Sequence, residues 1–323
     1  MSNSILNVPV PGHKPGNGKS VPFSLDYSAG PIIVPVISTK GGEGKSTQAA
    51  NLAGFLADAG LRVLLVDGDY AQPTASSIFP LSFEAPMGLV ELLRQTADLN
   101  QPDCIISRTE ISGLDLIVSN DPHEQLKTEM LHAPDGRLRM RNVLRHPLFS
   151  QYDVIIVDSQ GARSIMLELI VLAATDKVVG VVKPILPDVR EFMRGTINMM
   201  ETLQPFSAFG INLPHIRVLV NCLKYTRLHR QTLNQLKEII TTGKYSQFLP
   251  SELVTLLDTH IYDLTIYEEG HAAGQPVHRL EKTTSRTSDS AFMTMRSLAC
   301  ELFPQWKSNF DALAAQSEEV RHG

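Results

Sequence analysis

The stretch Ile32-Ile33-Val34-Pro35-Val36-Ile37-Ser38-Thr39-Lys40-Gly41-Gly42-Glu43-Gly44-Lys45-Ser46-Thr47 decides the fold. Its first six residues are apolar and mostly β-branched, as a strand buried in a parallel sheet requires. The glycines that follow let the backbone turn sharply and aim several N–H groups at one point. Gly44-Lys45-Ser46 then sets a cation and a hydroxyl where a helix N-terminus adds the positive end of its dipole. Strand, glycine-rich turn and helix start together form a phosphate cradle. The ordinary pattern G-x-x-x-x-G-K-[ST] wants glycine at position 39, but this chain has Thr39 there and a second lysine, Lys40, at the loop entrance. The triplet Gly18-Lys19-Ser20 imitates the end of such a loop, but no strand precedes it and His13 stands where the first glycine should be.

Downstream, Thr47 to Ala59 has the pattern of an amphipathic helix closed by Gly60. Arg62-Val63-Leu64-Leu65-Val66-Asp67-Gly68-Asp69 is a buried strand ending in carboxylates, and in open α/β sheets ligands sit beyond such strand ends. Gly88 to Leu99 is expected to be helical, with strand material at Ile105-Ile106 and Leu114 to Val118. Residues 121 to 148 suit helices broken by turns, with Arg137, Arg139, Arg141 and Arg145 on a solvated face. Tyr152-Asp153-Val154-Ile155-Ile156-Val157-Asp158 is a strand of Walker B type, whose Asp158 would support Mg²⁺ directly or through water. Further strands are expected at Asp176 to Pro184, leading into a helix from Pro187, and at Arg217 to Asn221. Ala291 to Ala315 is expected to be helical with a break at Phe303-Pro304, and Trp306 to be a packing anchor.

The run Lys-Gly-Gly-x-Gly-Lys-Ser-Thr resembles the deviant Walker A signature of the ParA/MinD family of P-loop ATPases. The resemblance covers about residues 31 to 305 and is carried most specifically by the loop, by Asp67 and Asp69, and by the strand ending at Asp158. It implies ATP and Mg²⁺ as ligands and ATP hydrolysis as the activity. Gly41, Gly42, Glu43, Gly44, Lys45, Ser46 and Thr47 would hold the phosphates, with Ser46, Asp158 and Asp67 around the metal. By the same resemblance Asp69 positions the attacking water, and Lys40 reaches across a homodimer to the partner's phosphates. Two departures stand out: Gln72 lies one residue later than in the family motif, and Ser159-Gln160-Gly161 replaces the usual Thr/Ser-Pro. The run Asp158 to Arg163 looks most like ParA-type proteins of plasmids and integrative elements. Asn221 matches the position that reads the adenine edge in relatives, although Asn at a strand end is also an ordinary turn residue. Ile261 to Val277 resembles the family's strand, its following loop and its G-x-P-V segment, which flank the base pocket.

The 323-residue chain carries a net charge of −5 with 43% hydrophobic and 20% charged residues, so nucleic-acid binding would need a local basic face. Such an island runs from Arg217 to Lys244, with Lys224, Arg227 and Arg230 spaced by three. It is either a solvated helix face or the non-specific DNA contact of ParA relatives. Arg279, Lys282, Arg286 and Arg296 are diluted by acids. Cys104, Cys222 and Cys300 show no metal spacing and read as buried small hydrophobes in a reducing cytoplasm. No secretory leader, membrane span or basic terminal amphipathic helix is evident.

The expected architecture is α/β, a mostly parallel twisted sheet with helices on both faces. Residues 1–30 are expected to form a flexible extension, 31–305 the ATPase domain and 306–323 a helical tail. The implied role is a cytoplasmic, nucleoid-associated partition ATPase working with a ParB-like adaptor, without a membrane. The alternatives are a relative positioning a protein cargo, or a metabolic P-loop enzyme.

Overall fold

The structure, a computed structural model, describes residues 30–121 and 123–322. The expected N-terminal extension, Gly30 apart, and the Gly18-Lys19-Ser20 triplet lie outside the described residues. Within them one sheet contains β1 (Ile32–Ile37), β2 (Val63–Gly68), β3 (Leu81–Phe83), β4 (Ser107–Thr109), β5 (Leu114–Ile117), β6 (Val154–Ser159), β7 (Lys177–Val182), β8 (His215–Leu223) and β9 (Val254–Tyr262). The strand order is β3-β4-β5-β2-β6-β1-β7-β8-β9. The strands from β5 to β9 pair in parallel, and β3 and β4 add an antiparallel edge.

Both faces of the sheet are covered, and the two-residue period of the strands sorts their side chains accordingly. Ile33, Ile37, Leu64, Val66, Ile155 and Val157 face one buried cluster. Val34, Val36, Val63, Leu65, Val154 and Ile156 face the other. This is why the strands read as continuous apolar runs. The helix after the loop, Lys45–Asp58, serves the second face, and Ile165–Ala173 serves the first.

Several expectations are corrected by this packing. Helix Lys45–Asp58 is buried on nearly all sides rather than amphipathic, because helix Ala291–Leu302 packs over it. The helix expected over Gly88–Leu99 spans only Leu89–Arg94 and stops where Gln95 turns left-handed, at φ 59°. Ile105 and Ile106 are core residues after a 3₁₀ turn, and the ladder begins at Ser107. Residues 266–273, expected in a loop, are helical. Arg137 and Arg145 are exposed as expected, Arg137 pairing with Glu168, but Arg139 is tied to Asp135 and Arg141 donates to the Leu172 carbonyl, so these two brace the domain instead of lining a solvated face. All three cysteines are partly exposed. Trp306 is an anchor as expected; together with the fully buried Phe310 it fastens the last helix to the core, so that helix is not an appended tail at its start.

An ion cluster closes the outer side of the loop helix. Asp58 accepts two 2.6 Å bonds from Arg279 and one of 2.8 Å from His278, whose ring packs edge-on against Phe55. Burial alone would raise the Asp58 carboxyl, but the bonds from Arg279 and His278 outweigh it and hold it at about 2. A carboxyl depressed in the folded state stabilises above its unfolded value and loses that contribution as pH falls toward the folded value. Asp58→Asn should therefore lower urea-unfolding stability by about 2 kcal/mol at pH 5, and the gap to wild type should shrink between about pH 4 and pH 2.

Candidate nucleotide-binding site

A cleft of about 440 Å³ opens beyond the C-terminal ends of β1, β2 and β6, lined by Gly41, Gly42, Gly44 to Thr47, Asp69, Gln72, Gln160 and Gly161. The loop enters helix Lys45–Asp58 through Gly44 at φ 85°, a left-handed conformation that side chains disfavour. Space excludes them too: a Cβ at Gly44 would come within 2.3 Å of the Asn221 amide nitrogen. Asn221 donates to the Glu43 carbonyl at 2.6 Å and accepts from Gln48 at 3.2 Å. The expected adenine reader is thus buried under the loop with its amide already engaged, and the part it plays here is to brace the loop. β8 also runs on to Leu223, so Asn221 does not close it.

The charged residues divide into those that face the cleft and those that do not. Lys45 is buried, and its ammonium donates to the Lys40 carbonyl at 3.4 Å. Burial pulls its pKa down, against the opposing pull of Asp158, Asp69 and Glu43. Glu43, expected in the phosphate cradle, turns its carboxylate away to accept from the Lys183 N–H at 2.8 Å, and only its backbone serves the loop. Lys40, expected to reach a partner's phosphates, is ion-paired with Asp188 in the first turn of helix Leu186–Glu191, and that bond raises its pKa. The lysine side chain remains 42% exposed, so it is held at the rim and accessible from outside.

Asp67 and Asp158 are register partners on β2 and β6. Asp67 accepts from the Ser76 N–H and hydroxyl, each at 2.7 Å, and from the Asp69 N–H at 3.1 Å. Both oxygens of Asp158 are buried without a hydrogen-bond partner. Burial, then the neighbouring Asp67, pushes the Asp158 carboxyl up, while Ser46 and Lys45 oppose the rise. Orphaned carboxylate oxygens beside a serine hydroxyl suit a hard divalent cation such as Mg²⁺. Asp158 and Ser46 fit that role directly; Asp67, whose oxygens hold the turn at Ser76, fits it less directly. Asp69 lines the cleft and accepts from the Ala71 and Gln72 N–H groups, which fixes its carboxylate.

The basic island is divided as well. Lys224 precedes helix Arg227–Thr241 and pairs with Asp263 at 2.9 Å, so it does not share a helix face with the other two. Arg227 and Arg230 are exposed in the first turn, with no ion pair recorded for either among the described residues. Tyr225 beside them is 63% exposed and stacks on Tyr262. In the second basic group Arg279, Arg286 and Arg296 pair with Asp58, Glu281 and Asp311. Sequence reasoning missed Asp188 and Gln48, which act through contacts 148 and 173 positions away, and Ser76, which bonds Asp67 nine positions back from a turn without a motif of its own. Gly161 carried a signal, as a glycine two residues beyond the end of the strand that holds Asp158.

The AAA_31 family model, an AAA domain, matches residues 32–206, over half of the chain. The chromosome partitioning protein ParA of Myxococcus xanthus is 33% identical over 147 residues, which is 45% of this chain and 50% of that protein. The chain thus spans about half the length of that relative. The cell division protein PomZ of the same organism is 24% identical over 256 residues, 78% of this chain and 73% of that one. Among solved structures, an ATP complex of a Cyanothece McdA variant superposes with a TM-score of 0.65 at 18% identity, covering 88% of this chain and 96% of that one, a likeness of fold. The family match covers the two-lysine loop and the strands around it: the chain belongs to the AAA_31 family of AAA domains.

Proposed function

We propose that this chain binds and hydrolyses MgATP as a nucleotide-dependent homodimer and uses the cycle to segregate or position a plasmid, mobile element or chromosome. The observation that carries the reading is the convergence of Lys45, Ser46 and Asp69 on one cleft, with the buried, unpartnered Asp158 behind Ser46 and Lys45 and with Lys40 exposed beside the loop. The loop N–H groups and Lys45 hold the phosphates. Asp158 and Ser46 hold Mg²⁺, which neutralises phosphate charge when bound. Asp69 orients the attacking water, and Lys40, once released from Asp188, completes the partner's site.

Non-specific duplex DNA is the proposed matrix. Arg227 and Arg230 oppose the dipole of their own helix, an unfavourable placement that contact with DNA phosphates would reverse. Among the described residues no helix is long and apolar enough to cross a membrane. A cytoplasmic, nucleoid-bound location and a ParB-like adaptor that triggers hydrolysis complete this reading. The long match to a cell division protein favours a second one, in which the cargo is a protein assembly.

The deciding experiment is binding to random-sequence duplex DNA with ATP, ADP or no nucleotide across a salt series. The expected outcome is ATP-dependent binding that weakens steeply with salt and drops at least tenfold in the Arg227→Ala/Arg230→Ala double variant, about the loss of two phosphate contacts. Absence of binding in every nucleotide state would remove DNA as the matrix and leave the ATPase. Lys40→Ala should keep MgATP affinity while steady-state turnover falls about a hundredfold and ATP-dependent dimers disappear in sedimentation runs. Burial pushes the Asp158 carboxyl up to about 8, so folding holds back its ionisation; Asp158→Asn removes that cost, and the nucleotide-free protein should melt about 2 °C or more above wild type at neutral pH. The same variant should lose the extra stabilisation that Mg²⁺ adds to ADP.

A further inference from the structure

One polar side chain of the cleft, Gln160, lies outside both the phosphate loop and the pair Asp158 and Ser46. It stands two residues beyond Asp158, where ParA/MinD sequences place a proline, and it lines the cleft beside Gly41, Gly42 and Asp69. Its place is fixed from three sides. A Cβ at Gly161 would approach the Gly41 Cα to 2.6 Å and the Lys40 carbonyl to 2.8 Å, so this backbone lies directly on the phosphate loop. Ser159 donates to the Val36 carbonyl at 2.9 Å, tying the same segment to β1. Tyr70, a residue 4% exposed and adjacent to Asp69, lies close to the Gln160 side chain: burial pushes its phenol up, and Gln160 opposes the rise.

We propose that Gln160 is a catalytic residue of the hydrolysis, its amide contacting the attacking water and a γ-phosphoryl oxygen, and that Tyr70 is the positioning residue that holds this amide. The inference rests on ATP hydrolysis in this cleft. In that step the water oxygen bonds to the γ-phosphorus, and the bond from that phosphorus to the β,γ-bridging oxygen breaks. ADP leaves with the electron pair, and the water proton passes by way of Asp69 to the released phosphate or to solvent. The amide is neutral throughout: Oε1 accepts a hydrogen bond from the water and Nε2 donates to the phosphoryl oxygen. Both contacts matter most as the new bond forms, so they act on the rate of the chemical step rather than on nucleotide affinity. A proline could make neither.

The test compares wild type, Gln160→Ala, the isosteric Gln160→Glu, Tyr70→Phe and the Gln160→Ala/Tyr70→Phe pair. Three readouts are taken: MgADP affinity, single-turnover ATP cleavage, and the slowing of ADP release by fluoroaluminate. Expected are MgADP affinities within about twofold of wild type and cleavage about a hundredfold slower in both Gln160 variants. Fluoroaluminate should no longer slow ADP release in either. Tyr70→Phe should be about tenfold slower, and the double variant no slower than Gln160→Ala alone, the mark of two groups acting as one. Wild-type cleavage and trapping in Gln160→Ala would overturn the inference and leave hydrolysis standing. Loss of MgADP affinity in both Gln160 variants would assign the residue to loop structure and overturn it too. A wild-type protein that neither cleaves ATP nor traps fluoroaluminate would overturn the hydrolysis itself.

Discussion

Asp67 and Asp158 face each other across neighbouring parallel strands with no solvent exposure, and neither oxygen of Asp158 has a hydrogen-bond partner. Burying carboxylates this way costs several kcal/mol unless a cation is brought to them. Lys45 supplies part of the compensation, although its own burial pulls it toward neutrality. The site therefore combines two reluctant acids and a reluctant base, a balance that a divalent cation and a phosphate chain together would relieve. Ser76, Asp69 and the turn between them are arranged around the one acid that is hydrogen-bonded, which leaves the other free for the cation.

The phosphate loop is held by contacts with no slack. Asn221 of β8 lies beneath Gly44, Gly161 at the end of β6 lies on Gly41, and Gly195 admits Thr39, the residue that replaces the usual first glycine. Gly195 belongs to a π-helical segment, Phe192–Ile197, that continues the helix carrying Asp188. A π turn inserted in a helix commonly marks a functional position. Here it brings Thr196 to 3.3 Å from the Thr39 hydroxyl while the same helical run presents Asp188 to Lys40. Occupancy of the loop thus bears on three elements at once, because close-packed backbone contacts cannot absorb a shift locally.

Charge is distributed with the same economy. The chain is acidic overall, and eight of its 17 arginines pair with carboxylates. Arg227 and Arg230 are exposed at a helix start, where their charge is unfavourable to the helix. The stacked Tyr225 and Tyr262 beside them add a rigid aromatic surface to the patch.

The sequence alone determined the sheet and its cradle, because these rest on local chemistry: β-branched runs for buried strands, glycines for a sharp turn, a lysine and a serine at a helix start, aspartates at strand ends. It carried the short strands β3 and β4 poorly, since three-residue elements have no period to detect. It also could not say what the side chains around the loop would touch. That Lys40 docks on Asp188, 148 positions away, that Asn221 braces the loop instead of facing the cleft, and that Gly161 seats Gln160 on the loop were decided by the crossover topology. The physical reason is that parallel strands join only through long connections, so the residues that meet at their carboxyl ends are necessarily remote in the chain.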